Sequence, residues 1–149
     1  MISAEAIKNL RDKTGLSVML CKRALEESGG EQTKAMGWLK EHGAAVAKKK
    51  SERSVNAGLI EAYIHNNGQV GVLLELRTET DFVAKNPAFK ELAHNIAMHI
   101  AAANPPDVKA LLGQEYIKNL DLTISEYINE NVQKFGENIE VAGFERFEI

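Results

Sequence analysis

Asn67-Gly68 restricts the fold of this chain more than any other pair of residues. Both tolerate positive φ, which makes the dipeptide a strong short hairpin-turn signal. The runs on either side read as strands. Leu59-Ile60-Glu61-Ala62-Tyr63-Ile64 precedes the turn, and Val70, Val72, Leu74 and Leu76 follow it, alternating onto one face. An antiparallel hairpin is therefore the expected centre of the second half of the chain.

The period is different elsewhere. Residues 3–43 read as three short helices. Ser3 is placed to cap the first, with Ile7 and Leu10 on its apolar stripe and Gly15 as its stop. Ser17 caps a second, with Leu20, Ala24 and Leu25 at helical spacing, and Gly29-Gly30 ends it. A third is expected from about Glu31 to His42, with Ala35 and Leu39 inward and Gly43 as its end. Residues 44–53 are rich in helix formers and poor in core residues, so they read as a helical linker. After the hairpin, Asn86-Pro87 supplies a cap and a first-turn proline. Phe89, Leu92, Ile96, Ile100 and Ala103 then recur at spacings of three and four until Asn104-Pro105-Pro106. Thr123 and Glu126 form a capping box for a further helix, with Ile124, Tyr127, Ile128 and Phe135 inward and Gly136 at its end. Ile139 to Ile149 reads as a last strand added to the hairpin. The expected fold class is α+β: a three-helix bundle (1–43), a helical linker (44–53), then an antiparallel three-stranded sheet packed with helices (54–149).

Charge supports a division near residue 54. The net charge of -3 over 149 residues conceals +4 in residues 1–53 and -7 in residues 54–149. The basic half is open to two readings, a nucleic-acid surface or a solvated face. Lys48-Lys49-Lys50 is short, lacks interleaved aromatics, and fits a helix end facing water. No apolar run is long enough to span a membrane, and the first residues lack a signal pattern. Cys21 is the single cysteine, so no internal disulfide forms, which fits a cytoplasmic setting.

No catalytic constellation stands out. His94 and His99 are five residues apart on one expected helix, a spacing that does not put two metal ligands on one face, so no metal site is expected. Glu75, Glu79 and Asp81 form an acidic cluster without a nucleophile or histidine to join it. Neither a P-loop nor Gly-x-Gly-x-x-Gly is present. The residues favour a binding protein with no cofactor over an enzyme. The stretch that best suits binding is Thr80-Asp81-Phe82-Val83, which presents an aromatic ring and a carboxylate together between a strand and a helix. The other reading is that Phe82 folds inward and Asp81 caps a turn.

Several stretches, taken in order, resemble one family. Leu10-Arg11-Asp12-Lys13-Thr14-Gly15, Met19, Cys21-Lys22-Arg23-Ala24-Leu25 and Gly43-Ala44 with the lysine-rich linker are similar to the opening of bacterial translation elongation factor Ts. Thr80-Asp81-Phe82-Val83-Ala84-Lys85-Asn86 resembles its most recognisable motif, and Ala97-Met98-His99-Ile100-Ala101 the helix after it. Phe135-Gly136-Glu137-Asn138-Ile139 and Phe144-Glu145-Arg146-Phe147-Glu148 resemble its C-terminal end. The resemblance implies a guanine-nucleotide exchange factor for elongation factor Tu, not a chemical catalyst. It implies a ubiquitin-associated-like bundle docking on the GTPase's nucleotide-binding domain, with Arg11, Val18 and Met19 at the matching contact positions. Ser17-Val18 and Leu20 depart there from the commoner Gly-Met-Met-Asp pattern. It further implies that Thr80, Asp81, Phe82 and Val83 enter near the GTPase's magnesium site, and that Phe135 and Gly136 form a second contact. Direct nucleic-acid or membrane binding is not expected. Relatives with one core copy can pair as homodimers, and this chain, with one, is shorter still, lacking an insert between Asp107 and about Leu111. The alternatives are a tethering or chaperone-like binder of the GTPase and an RNA-associated module.

Overall fold

Local capping decides where most helices begin and end. In the computed structural model, which describes Met1–Ile149, Ser3 accepts a hydrogen bond from the Ala6 N–H at the start of α1 (Ala4–Thr14), and Gly15, at φ 68°, closes that helix. Ser17 caps α2 (Val18–Glu27) in the same way. α3 runs from Gln32 to Lys50. Leu10, Leu16, Cys21, Ala24, Leu25, Ala35 and Leu39 bury together as the core of this bundle.

The third helix does not stop at Gly43. It continues through the expected linker to Lys50 as one helix of 19 residues. Gly43 lies mid-helix and buried, because another helix crosses there. A Cβ at this position would lie 2.5 Å from the Gln133 side-chain nitrogen. Glycine weakens a helix interior by about 1 kcal/mol relative to alanine. Here it permits close approach, and the two turns beyond it lay Val46 and Ala47 against the larger core. Lys48, Lys49 and Lys50 form the last turn, where cations meet the negative end of the helix dipole.

β1 (Ala57–Ile64) and β2 (Val70–Thr78) pair antiparallel, with Ile64 opposite Gly71. The connection is longer than a two-residue turn. His65 N–H still bonds to the Val70 carbonyl, Gly68 N–H returns to the His65 carbonyl, and only Gly68 takes positive φ (75°). A one-turn helix, α4 (Asp81–Ala84), follows β2. α5 (Pro87–Ala103) starts at an Asn86 cap and stops at Asn104 in the left-handed region. α6 (Val108–Gly113) and a two-stranded ribbon, β3 (Glu115–Tyr116) and β4 (Asn119–Thr123), fill a stretch in which no element was expected. α7 (Ile124–Phe135) begins with the anticipated capping box of Thr123 and Glu126. β5 (Ile139–Glu148) joins the sheet beside β2, giving the order β1-β2-β5 with a bulge near Glu75. The fold is α+β, as expected.

The main core lies between the sheet and the helices. Val72, Leu74 and Leu76 of β2 meet Phe89, Leu92, Ile96 and Ile100 of α5, and Ile124, Ile128 and Val132 of α7 close the other side. The ribbon is held from beneath by His99, which is fully buried. Its Nδ1 accepts the Ile117 N–H, so Nε2 carries the proton donated to Gln114 Oε1, 2.9 Å away. Burial lowers the pKa of His99, although the Gln114 bond acts in the opposite sense. Tyr116 of the ribbon stacks on Tyr127 of α7, ring centroids 4.3 Å apart. No helix is long and apolar enough to cross a membrane.

Candidate partner-binding site

β2 leaves the sheet at Thr78, and the next four residues decide what the corner presents. Thr80 adopts an extended conformation and its hydroxyl accepts the Val83 N–H, which makes Thr80 the cap of α4. Asp81 sits in the first turn of that helix, where a negative charge is favoured. Val83 and Ala84 point inward and are buried, while Phe82 is 86% exposed. The inward alternative for Phe82 is thereby excluded, and the capping side chain is that of Thr80, not Asp81.

Glu137, on the connection between α7 and β5, holds this corner. Its Oε1 accepts from the Thr78 hydroxyl (2.9 Å), the Glu79 N–H (3.1 Å) and the Thr80 N–H (3.0 Å), and its Oε2 from the Thr80 hydroxyl (2.6 Å). Burial favours the neutral acid, but the hydrogen bonds from Thr80, Thr78 and Glu79 outweigh it and hold the Glu137 carboxyl below the usual carboxylate range. The clasp is reciprocal. Glu79 Oε2 accepts the Asn138 N–H at 2.6 Å and lies 3.6 Å from Arg53 Nη1. The Asn138 amide donates to the Arg53 carbonyl at 3.0 Å, which binds the corner to the segment leaving α3.

Glu137 and Asn138 are thus the structural partners of the Thr80 turn, and the reading of individual site residues overlooked them. Their signal was membership in the Phe135–Ile139 stretch. Phe135 itself is half-buried and packs edge-on against Phe89, ring centroids 6.0 Å apart. Gly136 closes α7 at φ 71°. These two residues shape the corner that delivers Glu137. Arg11, Val18 and Met19 lie apart from it, on the bundle. Arg11 is exposed in the last turn of α1, and Met19, 82% exposed at the start of α2, borders a shallow depression with Ser17, Arg23 and Glu26. The acidic cluster does not converge. Glu75 pairs with Arg77, Glu79 with Arg53, and Asp81 stays in its helical turn. The histidines are dispersed, His42 stacked on Trp38 and His94 edge-on to Tyr63. A pre-formed corner that lifts an aromatic ring into solvent is suited to docking rather than to bond chemistry.

The family model described as Elongation factor TS matches residues 79–149, starting at this corner. An elongation factor Ts from Carboxydothermus hydrogenoformans is 38% identical over 194 aligned positions, which take in the whole of this chain and 89% of the relative. This chain belongs to the elongation factor Ts family. A chloroplastic elongation factor Ts from Porphyra purpurea is 40% identical, covering 98% of this chain and 87% of its own length. One from Nostoc sp. is 45% identical over 148 positions, covering 99% of this chain but only 47% of the relative, so the chain spans about half of that elongation factor Ts.

The alignments also bear on length. Against the Carboxydothermus elongation factor Ts, 194 positions set beside 149 residues leave about 45 without a counterpart here. The Nostoc alignment leaves no room for such a difference. The shorter length is therefore shared with the matching half of a longer member of the family. The expected position of the missing insert, Asp107 to about Leu111, falls at the start of α6.

Proposed function

We propose that this chain is a guanine-nucleotide exchange factor for elongation factor Tu, working in the cytoplasm during translation elongation, with no cofactor and no chemical step of its own. The observation that carries this reading is Phe82, held exposed on a capped turn while its neighbours Val83 and Ala84 anchor that turn in the core. GDP in a GTPase is held by phosphate contacts and a bridging magnesium ion that reinforce one another. A factor that binds the nucleotide-free conformation better than the GDP-bound one must weaken GDP binding by the same factor as GDP weakens its own. About 4 kcal/mol of such coupling, expressed in the dissociation barrier, speeds release about a thousandfold. Burying a phenylalanine side chain supplies roughly 2–3 kcal/mol of that. In this reading Phe82 is the wedge, Thr80, Asp81 and Val83 present it at the magnesium site, and Phe135 and Gly136 add a second contact. The bundle of residues 1–43, ubiquitin-associated-like, docks through Arg11, Val18 and Met19. Residues 44–53 join it to the core of 54–149.

The outer face of the sheet favours a homodimer as well. Ile60, Ile64, Leu73 and Phe147 are exposed there beside a groove of about 520 Å³. A second core copy would cover it.

Release of a fluorescent GDP from elongation factor Tu tests the function, with the mass of the complex in solution as its companion. The chain is expected to raise the off-rate, and Phe82→Ala to lower the stimulated rate about thirtyfold or more with an unchanged circular dichroism spectrum. An unaltered stimulated rate in that variant refutes the wedge. Binding without any rise in off-rate shows a tether instead of an exchange factor.

A further inference from the structure

We infer that Glu137 is a positioning residue for exchange: by bracing the Thr80 turn, its carboxylate fixes the direction in which Phe82 is presented. The inference rests on the exchange reading above.

A single turn of helix does not sustain itself, since nucleation fixes several dihedral angles for one hydrogen bond. α4 is such a turn, four residues long. What holds it lies outside it. The Glu79 and Thr80 N–H groups follow the end of the β2 ladder, and both point at Glu137 Oε1. The Thr78 and Thr80 hydroxyls complete the set. An ionised carboxylate offers two oxygens and acceptor sites only, which matches four converging donors. Thr80 transmits this anchoring into the helix, because the hydroxyl that donates to Glu137 Oε2 also accepts the Val83 N–H. Phe82 lies between that cap and the buried pair Val83 and Ala84. Its backbone is therefore fixed on both sides while its ring is left to solvent. Asn138, the residue before β5, backs the clasp through Glu79. In this inference Glu137 acts on the GTPase through Phe82, so its effect should appear as orientation and not as added contact.

The test is a two-residue cycle in the GDP-release assay, measured to saturation in the exchange factor. Glu137→Ala is expected to lower the maximal stimulated rate about tenfold to a hundredfold, with little change in the concentration giving half the effect. Glu137→Gln keeps a carbonyl oxygen for the two N–H donors and should recover an intermediate rate. Phe82→Ala/Glu137→Ala should be no slower than Phe82→Ala. Losses that multiply in the double variant, a wild-type rate for Glu137→Ala, or a loss confined to the half-saturating concentration overturn the inference. If Glu137→Ala does not fold, Thr80→Val replaces it in the cycle with the same expectations. If Phe82→Ala alone exchanges at the wild-type rate, the wedge reading fails while exchange itself stands, and amide hydrogen exchange on the isolated chain decides whether the brace exists. Protection at Glu79 and Thr80 should then fall about tenfold or more in Glu137→Ala, or in Thr80→Val if that variant does not fold, with the β1–β2 amides unchanged. Unaltered protection refutes the brace.

Discussion

Replacing Glu130 by glutamine should stabilise the chain at alkaline pH and leave it unchanged in mild acid. Glu130 is half-buried on α7, facing the junction where the bundle meets the core. It borders a cavity of about 20 Å³ there with Thr14, Leu39, Lys40, Leu122 and Gln133, room for about one water molecule. Burial pushes its carboxyl up to about 7, with Lys134 and Lys40 pulling it down and Glu126 pushing further up. Set against the usual value of 4.5, the shift corresponds to about 3 kcal/mol if unscreened, and to about 1–2 kcal/mol once the remaining solvent contact is allowed for. The folded state binds the proton more tightly than the unfolded chain. The stabilisation is therefore complete below about pH 4.5 and is lost as pH rises through 7. Glutamine keeps the shape without the charge. At pH 8 the Glu130→Gln variant should melt roughly 3–7 °C above the parent chain, and the gap should close towards pH 5. Circular dichroism melts at half-unit steps between pH 5 and pH 8 measure it. A gap of the same size at both ends, or a less stable variant at pH 8, would refute the assignment of the buried charge to this junction.

Two further outcomes follow from single contacts. Gly58→Ala should destabilise the chain by about 2–4 kcal/mol in urea unfolding, because Gly58 has φ 152° and a Cβ there would stand 2.3 Å from the Leu76 carbonyl oxygen and 2.8 Å from Arg77 Cα. A cost below about 0.5 kcal/mol would show that β1 shifts freely past β2. His99 should titrate below 6.5 in an NMR pH series, since protonation would set a second N–H against that of Ile117. Its contribution to stability is complete above 6.5 and is lost as pH falls towards its depressed value, so the protection factors of the ribbon amides, taken relative to their intrinsic rates, should fall in acid. A His99 pKa above 6.5 would contradict the assigned tautomer.

What could be read in the sequence follows the range of the interaction concerned. Ser3, Ser17, Asn86 and Thr123 each cap a helix by bonding to an N–H two or three residues on, so the local pattern suffices. Gly43 misleads for the opposite reason: the Gln133 that needs its space is far away in sequence, and a glycine read locally is a stop. Strands of two and five residues show no period, and β3 and β4 exist because His99 and Tyr127 hold them from elsewhere in the chain. The Thr80 corner lies between these cases. Its residue types were legible, but the direction of Phe82 depends on Glu137, 57 residues beyond Thr80. That dependence is itself informative. Hydrophobic burial alone would turn Phe82 inward. The turn is instead held by four hydrogen bonds to one carboxylate, with its largest apolar side chain facing water. An arrangement stabilised against the direction that burial favours is what the proposed docking of Phe82 on a partner requires.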